Sequence, residues 1–168
     1  MITGSLVRGA GDQSAGGAAG GNHMSYTNAP ARGLNVIVGG AFGVIYLLVG
    51  LLGFTVSGGH DFAGMDGGKL LGLFMVNPLH NIAHLLIGAL LVFAATRGEA
   101  MSSRTNTLVG GVYLVLGLIG LFILNNDVNI LALNTADNIL HFGSAAVLLG
   151  VGLMATRRTT TGRRSTAV

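Results

Sequence analysis

The chain has 168 residues, of which 51% are hydrophobic and only 9% are charged, and its mean hydropathy is +0.69. Because water-soluble domains carry charge on about a quarter of their residues, this composition argues against a soluble globular protein and favours a lipid bilayer as the solvent. The net charge of +3 does not indicate nucleic-acid binding, since the arginines flank apolar runs, and the absence of cysteine excludes disulfides, thiolate catalysis and iron–sulfur clusters.

The first 33 residues are rich in Gly, Ala, Ser and Asn and contain no apolar stretch long enough for a signal peptide. We predict that residues 1–33 form a disordered cytoplasmic tail. Met24 opens a segment that resembles an ordinary protein start, so residues 1–23 are interpreted as an over-extended start of the gene.

Four apolar segments follow the tail, at residues 34–56, 79–96, 107–124 and 137–156. Each is close to the ~20 residues that an α-helix needs to cross a hydrocarbon core of ~30 Å. They are continuous apolar runs, whereas membrane-spanning strands would be shorter and alternating. The sequence therefore predicts an all-α, four-helix transmembrane domain over residues 34–156, followed by a basic cytoplasmic tail at 157–168.

The first predicted helix contains Gly39 and Gly43, four residues apart. Small residues at this spacing allow close helix approach in lipid, where no hydrophobic force drives helices together. The pattern fits packing inside the bundle. A contact with a second copy of the chain or with another membrane protein is the alternative.

The loop that follows, residues 57–76, contains six glycines but lacks the strand and the Lys-Ser/Thr helix of a phosphate-binding loop. Residues 69–74 are predicted to form a short interfacial helix on the outer surface.

The second and fourth helices begin with similar polar residues. Asn77 before Pro78 is a strong helix start, and Asn134 or Thr135 can cap the fourth helix. His80 and His84 stand four residues apart, as do Asp137 and His141, so each pair shares a helix face. Because lipid offers no hydrogen-bond partner, these side chains are expected to face the bundle interior.

Three hypotheses account for this cluster. In the first, the histidines and Asn77, Asn81, Asn134 and Asn138 hydrogen-bond between helices and fix their packing, without a cofactor. In the second, a divalent metal is bound by His80, His84 and His141, with Asp137 as a further ligand. In the third, His84 and His141 are axial ligands of a haem.

The two helical pairs resemble each other. The segment 45–53, Ile-Tyr-Leu-Leu-Val-Gly-Leu-Leu-Gly, matches the segment 112–120, Val-Tyr-Leu-Val-Leu-Gly-Leu-Ile-Gly. Asn77, Asn81 and His84 match residues of the fourth helix at a constant offset of 57 residues, namely Asn134, Asn138 and His141. The sequence thus predicts two similar helical hairpins related as a parallel internal repeat.

The distribution of basic residues predicts the orientation. Eight arginines lie beside the two tails and the loop between the second and third helices, whereas Lys69 alone lies in the opposite loops. By the positive-inside rule, we predict that the protein crosses the plasma membrane four times and that both of its termini lie in the cytoplasm. The arginines are Arg8, Arg32, Arg97, Arg104, Arg157, Arg158, Arg163 and Arg164.

Several functional classes lack support in the sequence. No ionisable residue lies in the middle of a span, where ion pathways of pumps and transporters place one. Ser144 stands without a nucleophile elbow, which argues against serine hydrolysis. We therefore predict a non-enzymatic integral membrane protein of unknown role, with a metal- or haem-dependent oxidoreductase using His80, His84 and His141 as the alternative.

The segment 76–88, Val-Asn-Pro-Leu-His-Asn-Ile-Ala-His-Leu-Leu-Ile-Gly, followed by 136–141, Ala-Asp-Asn-Ile-Leu-His, resembles the family called domain of unknown function 4383. The resemblance covers roughly residues 34–156. It implies a four-helix bacterial membrane protein and implies that the His and Asn cluster is a family trait. The family has no established activity, so the resemblance implies no mechanism.

Overall fold

The predicted apolar runs form helices in the computed structural model, which describes the backbone of residues 33–164 and the side chains of residues 33–154. Within these residues the helices are α1 (Leu34–Ser57), α2 (Pro78–Thr96), α3 (Glu99–Ile123) and α4 (Thr135–Arg164). All of them, α4 over Thr135–Met154, are long and apolar enough to span a bilayer. The prediction of an all-α, four-helix multi-pass membrane protein is confirmed. The predicted tail at 1–33 lies almost wholly outside the described residues, and α4 continues through Arg164 into the predicted basic tail.

The third helix begins eight residues before the predicted start at 107. Its first two turns contain polar residues, which hydropathy alone assigns to a loop, but the structure buries them against neighbouring helices. Ser102 Oγ donates to the carbonyl of Ala94 at the end of α2, at 3.1 Å, and Ser103 Oγ donates to the carbonyl of Gly152 in α4, at 2.9 Å. These bonds satisfy polar groups that lipid could not.

The start of α1 is held by a polar cluster from α3. Glu99 Oε1 accepts hydrogen bonds from the Asn35 side chain at 2.8 Å and from its backbone amide at 3.3 Å, and Glu99 Oε2 accepts from the amide of Val36 at 3.3 Å. Asn106 Nδ2 donates to Asn35 Oδ1 at 3.0 Å. A single carboxylate thus lies at the positive ends of two helix dipoles, α1 and its own helix α3.

The four helices pack as two helical hairpins, one formed by α1 and α2 and the other by α3 and α4. Gly43 lies against the backbone of Gly88 and Val92, and Gly110 lies in the same way against the backbone of Leu149. Close approach at glycine increases van der Waals contact between helices in lipid.

The two glycines that the sequence singled out are both buried inside this chain. Gly39 lies against the Asn106 side chain of α3, and Gly43 lies against α2. An additional contact of either residue with another chain stays a prediction.

The same residue pairs meet in both hairpins. Gly53 faces Asn81, and at equivalent positions Gly120 faces Asn138. Residues of α3 follow their counterparts in α1 by 67 positions, whereas residues of α4 follow those of α2 by 57. These contacts are the ones that an internal repeat would produce, and they support our proposal of two duplicated hairpins.

The predicted interfacial helix at 69–74 is wrong. Gly68–Leu70 (β1) and Phe74–Val76 (β2) instead pair as an antiparallel hairpin, with Leu70 opposite Phe74. Leu71 and Gly72 at its tip have φ of 54° and 71°, as a type I′ turn requires. The strands alternate, so that Leu70 and Val76 point inward and are buried. An apolar segment this short does not distinguish strand from helix by periodicity.

Candidate functional site

The end of the bundle formed by residues 58–77 and 124–134 is called the loop end here, and the opposite end the terminal end. Asn77 organises the loop end, as its position before Pro78 predicts. Its Oδ1 caps α2 by accepting from the amide of His80 at 2.9 Å. Its Nδ2 donates to the carbonyls of Gly64 and Ile130, at 3.0 and 2.9 Å. One side chain therefore starts α2 and joins both loops.

Asn134 has the corresponding place at the start of α4. Its Oδ1 accepts from the amide of Asp137 while Asp137 Oδ2 accepts from the amide of Asn134, both at 3.0 Å, which is a reciprocal capping box. Both residues also hold the β-hairpin. Asn134 Nδ2 donates to the carbonyl of Leu73 at 2.7 Å, and Asp137 Oδ2 accepts from the amide of Met75 at 3.1 Å.

Asn81 and Asn138 lie one turn deeper. Asn81 Nδ2 donates to Ser57 Oγ of α1 at 2.9 Å. The side-chain oxygens of Asn81 and Asn138 have no conventional hydrogen-bond partner among the described residues, and each lies against the Cα of a glycine, Gly53 or Gly120. Such Cα–H···O contacts recur at helix–helix interfaces. Among the described residues, the side-chain hydrogen bonds donated by Asn77, Asn81 and Asn134 go to α1, the loops and the β-hairpin. The role of this cluster in fixing helix packing stays a prediction.

Below the asparagines, five aromatic rings from all four helices form a closed circuit. Its consecutive members are His80, His84, Tyr46, Tyr113 and His141, and the circuit closes from His141 back to His80. The ring centroids are 4.5, 5.5, 5.3, 5.1 and 6.2 Å apart in that order. Tyr46 pairs with His84 in the first hairpin, and Tyr113 pairs with His141 at the equivalent positions of the second.

The three histidines of this circuit, His80, His84 and His141, lie close together, whereas a shared metal ion requires ring nitrogens within about 3 to 4 Å of one another. Each offers a ring nitrogen, and these nitrogens lie within 4.8 Å of one another. The side chains are buried, and Nδ1 of all three has no hydrogen-bond partner among the described residues. A buried polar atom without a partner costs about 1–3 kcal/mol, so three at one place need an explanation.

Asp137 lies beside the histidines but outside the set of converging nitrogens. It is 4% exposed, and its Oδ2 accepts two backbone hydrogen bonds. Among the side chains that the structure describes, at residues 33–154, the one ion pair joins His60 and Asp66. Asp137 therefore has no cationic partner among them. Its role as a metal ligand stays a prediction.

A cavity of about 430 Å³ opens beside the circuit, between α1 and α4. Its walls are apolar side chains, among them Phe42, Ile45 and Val147. The β-hairpin covers it at the loop end. Its inner end is polar and is lined by the following residues: Tyr46, His84, Asp137, His141 and Ser144.

The family model described as Domain of unknown function (DUF4383) matches residues 37–154, which include the whole aromatic circuit and the four spans except for the first three residues of α1. The chain belongs to this family. No curated protein and no solved structure gives a significant match. The family match confirms the resemblance predicted from the sequence. Because no characterised relative matches the chain, any activity has to be argued from the geometry of the site.

Sequence reasoning about this DUF4383 member missed Tyr46, Tyr113 and Ser144 as site residues. The signal was present in the matched segments 45–53 and 112–120, where tyrosine is the one residue with a polar group at the same position in both. Both hydroxyls are buried and make no direct hydrogen bond among the described residues, although that of Tyr46 approaches Ser144 and Tyr113.

Proposed function

We propose that this integral membrane protein binds a divalent transition-metal ion through His80, His84 and His141. The observation that carries the proposal is the convergence of three buried imidazoles, from two different helices, whose ring nitrogens lie within 4.8 Å of one another. Imidazole suits zinc, copper, iron and nickel. If the ligand atoms are the Nδ1 atoms, a bound ion would supply the partner that these atoms lack among the described residues.

The spacing of the ligands is compatible with such an ion after a small adjustment. A tetrahedral ion bound at ~2.1 Å holds its nitrogen ligands about 3.4 Å apart. Rotation of the imidazoles about their side-chain bonds would close the remaining distance without movement of the helices. Three protein ligands leave a fourth position open, as in catalytic zinc sites, and because His84 and His141 line the cavity we propose that this position faces it.

Asp137 supports a cation at this place. A positive ion in a low-dielectric interior is costly unless an opposite charge compensates it. Asp137 is a buried carboxylate that lines the same cavity as His84 and His141. We propose that it offsets the charge of the ion, as a ligand or from a short distance.

A haem is less well supported than a single ion. The proposed axial ligands, His84 and His141, belong to a circuit whose neighbouring rings are already in contact. A porphyrin is wider than this circuit and would require the tyrosines and His80 to leave it. Depending on its identity, a single ion would supply Lewis-acid or one-electron chemistry.

The test is metal binding by the purified chain. We expect EDTA-treated protein in detergent to take up one equivalent of Co²⁺ or Zn²⁺, with Co²⁺ giving the visible absorption of a tetrahedral site. Alanine at His80, His84 or His141 should weaken binding at least 100-fold, in variants that elute and unfold cooperatively like the wild type. The matched control is His60→Ala, because His60 lies in a loop, partly exposed and paired with Asp66.

Two results would overturn the metal proposal. One is a wild-type protein that binds no ion, and the other is equal binding by the wild type and the three alanine variants. Loss of binding in His60→Ala alone would move the site to the loop.

We further propose that the protein lies in the plasma membrane with both termini in the cytoplasm. Arg97 and Arg104 at the terminal end support this orientation, because cytoplasmic loops are enriched in basic residues. Alkaline phosphatase, which is active only outside the cytoplasm, should be inactive when fused after Val168 and active when inserted in the loop at 58–67. The reverse pattern would invert the orientation.

A further inference from the structure

We propose that the cavity between α1 and α4 binds an uncharged lipid-soluble molecule whose head carries a carbonyl or hydroxyl oxygen. The cavity volume of about 430 Å³ lies within the range of ~300–1,000 Å³ typical of small-molecule sites. Its lining comes from α1, α2, α4 and the β-hairpin, and the rim residues Ile45 and Leu140 are exposed apolar side chains on the spanning surface. A ligand would therefore enter sideways from the bilayer.

The polar atoms at the inner end point to a hydrogen-bonding head. Tyr46, His84 and His141 are each at least nine-tenths buried, and the Tyr46 hydroxyl and both Nδ1 atoms have no hydrogen-bond partner among the described residues. All three residues line the cavity. Buried polar groups without partners are rare in folded proteins, and a ligand oxygen at this end could bond to them.

The charges around the cavity disfavour an anionic head. Among the described residues, no lysine or arginine lines the cavity, whereas Asp137 does. A carboxylate or phosphate head would meet a like charge in a site of low dielectric, which is strongly unfavourable. Free fatty acids and phospholipids are thus disfavoured. Isoprenoid quinones or quinols and long-chain alcohols or glycerides all have an uncharged head with a carbonyl or hydroxyl oxygen and an apolar chain, as the cavity requires.

The β-hairpin determines the direction of access. Leu70, Leu71 and Phe74 cover the cavity at the loop end. The hairpin is fixed there by the amide of Met75, which donates to Asp137, and by the carbonyl of Leu73, which accepts from Asn134. Because these hairpin side chains are apolar and the exposed residues Ile45 and Leu140 lie on α1 and α4, we infer that access is from hydrocarbon between these two helices.

This proposal does not depend on a metal ion, and it is tested on EDTA-treated protein. Binding is measured by calorimetry in detergent with three probes: a benzoquinone carrying a ten-carbon chain, 1-dodecanol and dodecanoate. We expect the quinone, the alcohol or both to bind, and dodecanoate to bind at least tenfold more weakly than dodecanol. Selective binding of the quinone or of the alcohol identifies the natural source of the head group.

The decisive variant is Gly143→Leu. Gly143 lines the cavity, and a Cβ atom added there meets no described atom within 4 Å, so we expect leucine to extend into the cavity without disturbing the helix backbone. We expect at least a tenfold loss of affinity. Gly150→Leu is the matched control, because Gly150 lies two turns away on α4, also faces open space and does not line the cavity.

A second variant tests the head group. Tyr46→Phe keeps the ring of the circuit and removes the hydroxyl, and one lost hydrogen bond should weaken binding roughly threefold to tenfold. The proposal is overturned if neither neutral probe binds, if Gly143→Leu binds as tightly as Gly150→Leu, or if dodecanoate binds as tightly as dodecanol. Binding of a neutral probe without any metal uptake would support the cavity and reject the metal site.

Discussion

Gly43→Leu should lower the free energy of unfolding by about 3 kcal/mol, which is the upper part of the range for overpacked interiors. A Cβ atom at Gly43 would lie 2.9 Å from the carbonyl oxygen of Gly88 and 2.9 Å from the amide nitrogen of Val92. Both are backbone atoms of α2, so no side-chain rotation relieves the overlap. The helices of the first hairpin would have to separate along much of their length.

The matched control is Gly111→Leu, in which the same substitution meets open space on α3. Its effect should be within about 1 kcal/mol of the wild type and of favourable sign, because leucine is a better helix former than glycine. Unfolding is followed by circular dichroism during titration of mixed micelles with SDS.

Equal unfolding midpoints for Gly43→Leu and Gly111→Leu would mean that α1 and α2 do not approach at this position. If Gly43→Leu instead abolished a crosslinked dimer without altering the unfolding midpoint, Gly43 would belong to a contact between chains. Gly110→Leu extends the test to the second hairpin, where a Cβ atom would lie 2.7 Å from the amide nitrogen of Leu149.

Zinc should stabilise the folded protein by about 4 kcal/mol when it is present at 1,000 times its dissociation constant. An ion that binds only the folded state shifts the unfolding equilibrium by mass action, and the site exists only when α2 and α4 bring His80, His84 and His141 together. The measurement is the SDS unfolding midpoint of EDTA-treated protein with and without added Zn²⁺. His84→Ala should lose the zinc-dependent increase, whereas His60→Ala should retain it.

Ca²⁺ provides a control for the ion itself, since it prefers oxygen ligands and should leave the midpoint unchanged. Stabilisation of the wild type and His84→Ala to the same extent would contradict the three-histidine site. So would an increase given by Ca²⁺ as large as that given by Zn²⁺.

The sequence was sufficient to predict the spans because lipid imposes a simple rule of length and apolarity. Hydropathy did not predict the start of α3, because the polar residues there form hydrogen bonds inside the bundle. Ser102, Ser103 and Asn106 resemble loop residues by hydropathy, yet the side chain of each donates a hydrogen bond to another helix. The β-hairpin was missed because Leu70 to Phe74 is too short for periodicity to distinguish strand from helix.

The candidate site was predictable only in part. Helical periodicity alone places His80 and His84 on one face, and the capping role of Asn77 follows from the proline after it. The approach of His141, which lies 57 residues beyond His84, depends on how two hairpins pack. The tyrosine pair depends on the same packing, because Tyr46 and Tyr113 come from α1 and α3 and meet at a centroid distance of 5.3 Å.

The opening between α1 and α4 determines which ligand concentration governs occupancy of the site, that in the bilayer or that in water. If it faces hydrocarbon, as we propose, a molecule arrives from solution in the bilayer, and its relevant concentration is a mole fraction among lipids. Each methylene adds about 0.8 kcal/mol to transfer out of water, or roughly fourfold in partitioning. A molecule of modest intrinsic affinity but long chain could therefore saturate the protein at a trace aqueous level. Shortening its chain would lower occupancy even with every polar contact to Tyr46 preserved.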